Sequence, residues 1–245
     1  MKTQRHVILI IMLAGCVDSL PTHRSASRTP SSIAVTDNTR HRVVPILVYG
    51  MPRSGTVRPL AILSHGYGVS NSEYSFVADH LVKRGYLVVS IDHVERAGDP
   101  PMVNSGKLSE TRRPVWQVGA DSIGFIIGEM SRRGLSDPRR RAVLVGHSNG
   151  GDMTMLFASQ HPELVDVAFS LDNRRMPLPR SSSPRVCSVR SSDFPADPDV
   201  LPTDAERRDL GIHIFTSQVE HNDMTDVASP AAKAAILSAI DDCLG

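Results

Sequence analysis

Along the chain, short apolar runs alternate with stretches in which apolar residues recur every three or four positions. Val43–Tyr49 alternates loosely and predicts a strand. Leu60–Leu63 predicts a short buried strand, cut off by Ser64-His65-Gly66-Tyr67-Gly68. Asn71 and Ser72 are cap-type residues ahead of a helix over Glu73–Arg84, which carries Phe76, Val77, Leu81 and Val82 and stops at Gly85. Tyr86–Ile91 predicts another strand. Trp116–Arg133 predicts a helix with Ile123, Ile126, Ile127 and Met130 on one face. Ala142–Val145 predicts a strand and Asp152–Gln160 a helix. Val165–Leu171, Arg185–Val189 and Ile212–Thr216 predict strands, and Ser229-Pro230 opens a last helix that ends near Asp242. Strands alternating with helices imply an α/β fold: a mainly parallel sheet with helices on both faces, whose sites lie beyond the carboxyl ends of the strands.

The chain has 245 residues, 40% of them hydrophobic, enough for one α/β domain or two small ones. A net charge of +1 gives neither a nucleic-acid footprint nor an acidic tail, and no nucleic-acid partner is expected. Arg139-Arg140-Arg141 is a short basic run that reads as a solvated loop. The N-terminus changes the picture more. Lys2 and Arg5 precede an apolar run, Val7–Ala14, that is too short to span a bilayer and ends in Leu13-Ala14-Gly15-Cys16. This is the pattern of a secretory signal, and a Cys directly after Leu-Ala-Gly resembles the bacterial lipoprotein signal. That resemblance implies cleavage before Cys16, lipidation of Cys16, and a membrane partner through the lipid. Asp18–Asn38 is rich in Ser, Thr, Pro and Arg without periodicity and reads as a flexible tether. The expected organisation is a signal over 1–15, a tether over 16–41 and one catalytic domain over 42–245. Cys187 and Cys243 are the only cysteines left, and in an oxidising compartment they would pair; the alternative is two buried thiols.

Gly146-His147-Ser148-Asn149-Gly150 fits G-x-S-x-G, between a predicted strand and a predicted helix. A sharp strand-to-helix turn lifts a serine hydroxyl clear of the sheet edge, and the glycines leave room for close approach. A serine hydroxyl is a weak nucleophile without a base and a group that orients the base. The G-x-S-x-G architecture places acid and then histidine after the serine. Of the downstream histidines, His161 lies too near the turn and His213 lies inside an apolar run, whereas His221 follows the last strand and can overhang the site. The acid stays open on these grounds: Asp172 ends one strand, and Asp193 and Asp197 follow the next. The oxyanion of an acyl-transfer transition state needs two donors. The backbone N–H groups of Asn149, after the nucleophile, and Tyr67, in the early His65-Gly66-Tyr67-Gly68 loop, are placed to supply them.

Over about Arg42–Leu244 these residues resemble the α/β-hydrolase superfamily. Leu63–Gly68, Ser90-Ile91-Asp92-His93, Gly146–Gly151 and Leu171-Asp172-Asn173-Arg174-Arg175-Met176-Pro177-Leu178 resemble, more narrowly, the platelet-activating-factor acetylhydrolase and dienelactone-hydrolase-related branch. The resemblance implies an α/β-hydrolase fold, the triad Ser148, His221 and Asp172, and oxyanion donors at Tyr67 and Asn149; the short, Pro- and Ser-containing connection from Asp172 to Arg185 leaves no room for a large cap domain. The resemblance also implies a serine hydrolase cleaving carboxylic esters, small or lipid, with neither cofactor nor metal. The chain departs from the pattern in two ways. Asp193 stands where most α/β-hydrolases keep the acid, and Ser148 replaces the cysteine of the dienelactone hydrolases themselves. Asp92 and His93 are expected to shape the site wall, and Trp116 either lines the pocket or packs its helix. An amidase or peptidase with the same triad, a thioesterase, and a silent hydrolase-fold envelope lipoprotein are the other readings.

Overall fold

The computed structural model describes residues 29–245; the signal, Cys16 and the first part of the expected tether lie outside them. Eight strands form one sheet: β1 (Ser31–Asp37), β2 (Arg42–Tyr49), β3 (Leu60–Ser64), β4 (Leu87–Ile91), β5 (Ala142–His147), β6 (Val165–Leu171), β7 (Arg185–Arg190) and β8 (His213–Thr216), in the order β1-β2-β4-β3-β5-β6-β7-β8. β1 and β2 are antiparallel to their neighbours, and β4, β3, β5, β6, β7 and β8 run parallel. The central strands β3, β4 and β5 are buried at every position, as a sheet covered on both faces requires.

Helices α3 (Arg113–Arg132) and α4 (Ser148–Gln160) bury Trp116, Ile123, Ile126, Met155 and Phe157 against one face. Helices α1 (Ser75–Lys83) and α6 (Pro230–Leu244) bury Val77, Leu81, Ile236 and Ile240 against the other. Two short helices, α2 (Leu108–Thr111) and α5 (Asp204–Leu210), lie in connections that carried no periodic signal. A disulfide, Cys187–Cys243, fastens β7 to α6.

Two expectations are corrected here. Residues 31–37, assigned to the tether, are edge strand β1, paired with β2 from Ser31↔Val48 to Asp37↔Arg42. Polar composition hid the alternation that buries Val35 and Asp37. The Asp37 carboxylate makes the hairpin turn by accepting the N–H groups of Thr39 and Arg40 at 2.9 and 3.2 Å. Likewise, α1 begins at Ser75, and neither Asn71 nor Ser72 caps it. Its first N–H groups, on Ser75 and Phe76, donate to the Asp226 carboxylate at 3.0 Å each, a cap supplied from beyond β8. Asn71 is instead tied to Ser90 by two buried hydrogen bonds, which fasten the loop after β3 to β4.

Candidate active site

β5 ends and α4 begins at Ser148, whose φ of +52° is a strained conformation for a residue with a side chain. The bend is possible because its flanks are glycine. A Cβ on Gly150 would lie 2.3 Å from the Ser64 carbonyl oxygen, and one on Gly146 would lie 2.4 Å from the Gly150 carbonyl oxygen. The turn thus packs against the end of β3 and presents the Ser148 hydroxyl, half-buried, at the carboxyl edge of the sheet.

The loop after β8 folds back over this edge, with a single 3₁₀ turn at His221–Asp223. His221 Nε2 stands 2.9 Å from Ser148 Oγ, and His221 Nδ1 stands 2.6 Å from Asp172 Oδ2. The three acid candidates are separated by this geometry. Asp172, fully buried just past β6, meets the imidazole. Asp193 holds the same residue by its backbone, its Oδ1 accepting the His221 N–H at 2.7 Å. Asp197 donates its own N–H to the Arg174 carbonyl oxygen and serves the loop.

Asp172 is itself bent into place, at φ +52°. Its Oδ1 accepts the Ser191 N–H at 3.0 Å and lies 2.7 Å from Arg190 Nη2. Burial pushes its carboxyl up, but the hydrogen bond to His221, the Arg190 charge and the Ser191 N–H outweigh it and hold it below the usual carboxylate range. One helical turn into α4, the buried Asp152 carboxylate accepts the N–H groups of Arg175 and Met176 at 3.0 and 2.8 Å and so pins the chain that follows Asp172.

The first turn of α4 and the loop after β3 are equally ordered. The Asn149 N–H lies in the first turn of α4, with no carbonyl a turn behind it. Its side-chain oxygen accepts the indole N–H of Trp116 at 2.9 Å; Trp116 is fully buried, so it packs and positions, and the pocket-lining alternative falls away. Tyr67 sits in a turn closed by Val69 N–H to the Gly66 carbonyl, 3.3 Å, and its own N–H meets no acceptor among the described residues. His65 braces this turn: its Nδ1–H donates to the Gly66 carbonyl at 2.8 Å, and its Nε2 accepts the His93 N–H at 2.8 Å.

Sequence reasoning missed three residues of this site. The Gly66 N–H donates to the Tyr74 hydroxyl at 3.1 Å, that hydroxyl donates to His147 Nδ1 at 2.7 Å, and His147 Nε2–H donates to the His221 carbonyl at 3.0 Å. This buried series joins the turn around Tyr67 to the histidine loop. Desolvation, with the neighbouring His221, pulls the His147 pKa down to about 3, so the ring stays neutral and can accept from Tyr74. Arg190 is the third. His147 occupies a variable position of G-x-S-x-G, and Tyr74 and Arg190 carry no motif, so only their contacts expose them.

Around the site, Tyr67 is 61% and Phe194 is 39% exposed. The Phe194 ring meets His221 edge-on at 5.5 Å and carries the Arg174 guanidinium 4.3 Å above its centre.

No family model matches the chain. A Mycobacterium phage D29 protein, provisionally named a non-heme haloperoxidase, is 30% identical over 125 residues, which span half of this chain and 38% of the phage protein. Among solved structures, dienelactone hydrolase from Anabaena variabilis superposes with a TM-score of 0.56 at 16% identity, covering 88% of this chain and 97% of the other. An esterase of Rhizomucor miehei gives 0.63 at 11% identity, covering 93% and 87%. Ferulic acid esterase from Streptomyces cinnamoneus gives 0.57 at 17% identity, covering 83% and 79%. The sheet order, the strand–serine–helix turn and these superpositions agree: the chain has the α/β-hydrolase fold.

Proposed function

We propose that this protein is a serine hydrolase that cleaves carboxylic esters through an acyl-enzyme. The observation that carries the reading is the Ser148–His221–Asp172 series, at 2.9 and 2.6 Å, beside the backbone N–H groups of Tyr67 and Asn149. His221 Nε2 takes the proton of Ser148 as Oγ attacks the ester carbonyl. Asp172 holds the Nδ1–H of His221 and stabilises the imidazolium. The Tyr67 and Asn149 N–H groups bind the developing oxyanion. His221 then protonates the leaving alcohol, and water repeats the sequence on the acyl-enzyme.

The segment from Asn173 to Pro184, just past the acid, contains no helix, so no cap closes the site from there. Short-chain or extracellular acyl esters fit such a site better than long triglycerides do. Esterases and lipases among the structural neighbours support ester chemistry at this level. We also propose export and anchoring through a lipidated Cys16. The basic–apolar–Leu-Ala-Gly-Cys segment and the Cys187–Cys243 disulfide, a bond of oxidising compartments, support it. A lipid-dependent mass shift of the N-terminal peptide checks that part.

The enzymatic reading is tested by fluorophosphonate labelling alongside p-nitrophenyl acetate hydrolysis. Wild type should label and turn over, whereas Ser148→Ala and His221→Ala should do neither above background. A wild-type protein that does not label at any pH overturns it.

A further inference from the structure

Arg190 ends β7 with its guanidinium buried against the triad acid. One nitrogen, Nη1, donates to the Asn173 carbonyl at 2.7 Å and stands 3.3 Å from Ser188 Oγ. The other, Nη2, lies 2.7 Å from Asp172 Oδ1 but off the hydrogen-bonding direction, so the contact is an ion pair between charges more than a directed bond. The two oxygens of Asp172 are therefore divided: Oδ2 serves His221, and Oδ1 faces a fixed cation and the Ser191 N–H. A carboxylate that stabilises an imidazolium does so by its charge. A guanidinium on its far oxygen opposes that charge across a poorly screened, buried distance.

We propose that Arg190 is a positioning residue of the site, one that fixes Asp172 just past β6 and weakens the field its carboxylate presents to His221, so that removing the cation changes the pH dependence of the reaction. The inference rests on the serine-hydrolase reading above. The other groups facing the pair leave Arg190 as the dominant cation. From β5 comes His147, which is neutral; from α4 Asp152, engaged with backbone N–H groups; from the loop after β3 His65, engaged with backbone on both nitrogens. From the loop after β6 comes Arg174, turned onto Phe194, and from the loop after β7 Asp193, bound to the His221 N–H. Glu220 and Asp223, on the histidine loop itself, are exposed.

The test is kcat/KM for p-nitrophenyl acetate by pH-stat from acid to alkaline pH, on the full chain as wild type, Arg190→Gln and Arg190→Lys. The rising limb reports the free base. The wild-type midpoint is the reference for both variants. Arg190→Gln, which removes the charge and keeps polar reach, should move the midpoint up by about one pH unit. Arg190→Lys should keep the wild-type midpoint with a lower plateau, since one ammonium cannot hold both Asn173 and Asp172 in the same fork. An active Arg190→Gln with an unmoved midpoint overturns the proposal, as does an Arg190→Lys that shifts as far as Arg190→Gln. Loss of folding in both variants overturns it as well, since Arg190 would then hold the fold rather than position Asp172. Wild type that neither labels nor turns over at any pH fails the parent reading instead, so the two failures are distinguishable.

Discussion

At the scale of single residues, the site turns on which oxygen each carboxylate offers and to which part of His221. Asp172 orients the ring through Nδ1, while Asp193 holds the main-chain N–H of the same residue. The two substitutions therefore have different consequences. Asp172→Asn should present an amide to Nδ1, favour the wrong tautomer and lower kcat by about 10⁴-fold, the scale known for a triad carboxylate turned to its amide. Asp193→Asn keeps an oxygen acceptor for the backbone and should cost less than about tenfold, the equivalent of one weakened hydrogen bond. Kinetics of the two variants on one ester check the pair; near-full activity in Asp172→Asn would remove Asp172 from the relay. The serine and the histidine were legible in the sequence because a motif and a position after the last strand mark them. The acid was not fixed by spacing, because Asp172 and Asp193 both follow strands that end at the same edge. What separates them is the left-handed backbone at Asp172 and the Ser191 N–H beneath it, both products of tertiary packing.

At the scale of elements, periodicity located nearly every strand and long helix, because buried faces in an α/β sheet repeat every two or 3.6 positions. It failed where an element is held from far away or is too short to repeat. The α1 start is capped by Asp226, about 150 residues on, and α5 relies on a local capping box between Thr203 and Glu206. β1 is read only from alternation within a Ser/Thr-rich stretch, and its pairing with β2 supplies the rest. The same distant fastening sets an energetic expectation for the β7–α6 junction. The disulfide closes a loop of 56 residues, so its removal should cost up to about 4 kcal/mol through the entropy of the unfolded chain. Cys187 sits mid-strand and Cys243 near the end of α6, away from the sheet's carboxyl edge. Cys187→Ser with Cys243→Ser should therefore lower the urea midpoint markedly and leave kcat/KM at 25 °C within about twofold. A large loss of kcat/KM in a still-folded double variant would contradict that separation of staple from site.

At the scale of the whole molecule, two buried titratable groups of opposite sign sit on either side of the strand-to-helix turn at Ser148. Burial holds His147 neutral with a pKa of about 3, so the unfolded chain binds a proton there that the folded chain does not, from about pH 6.5 down to about 3. Stability from His147 is thus present at neutral pH and lost as pH falls through that window. Burial raises the Asp152 pKa to about 6, against the Arg175 and Met176 N–H groups that oppose the rise. Here the folded chain keeps a proton that the unfolded chain has released, between about pH 4 and about 6, so this contribution is lost as pH rises. The two slopes, each about 1.4 kcal/mol per pH unit, have opposite signs over the shared window and cancel there. Asp152→Asn removes one of them while keeping an oxygen for the two N–H groups. Its unfolding free energy should fall, relative to wild type, by about 2–3 kcal/mol between pH 6 and pH 4. His147→Gln should show the mirror image, gaining relative to wild type as pH falls through the same range. Urea unfolding at closely spaced pH values reads both differences directly. A difference between Asp152→Asn and wild type that does not change with pH would mean that Asp152 is ionised in the fold throughout. The charge balance around Ser148 would then have to be held by Arg175, whose charge favours the Asp152 carboxylate.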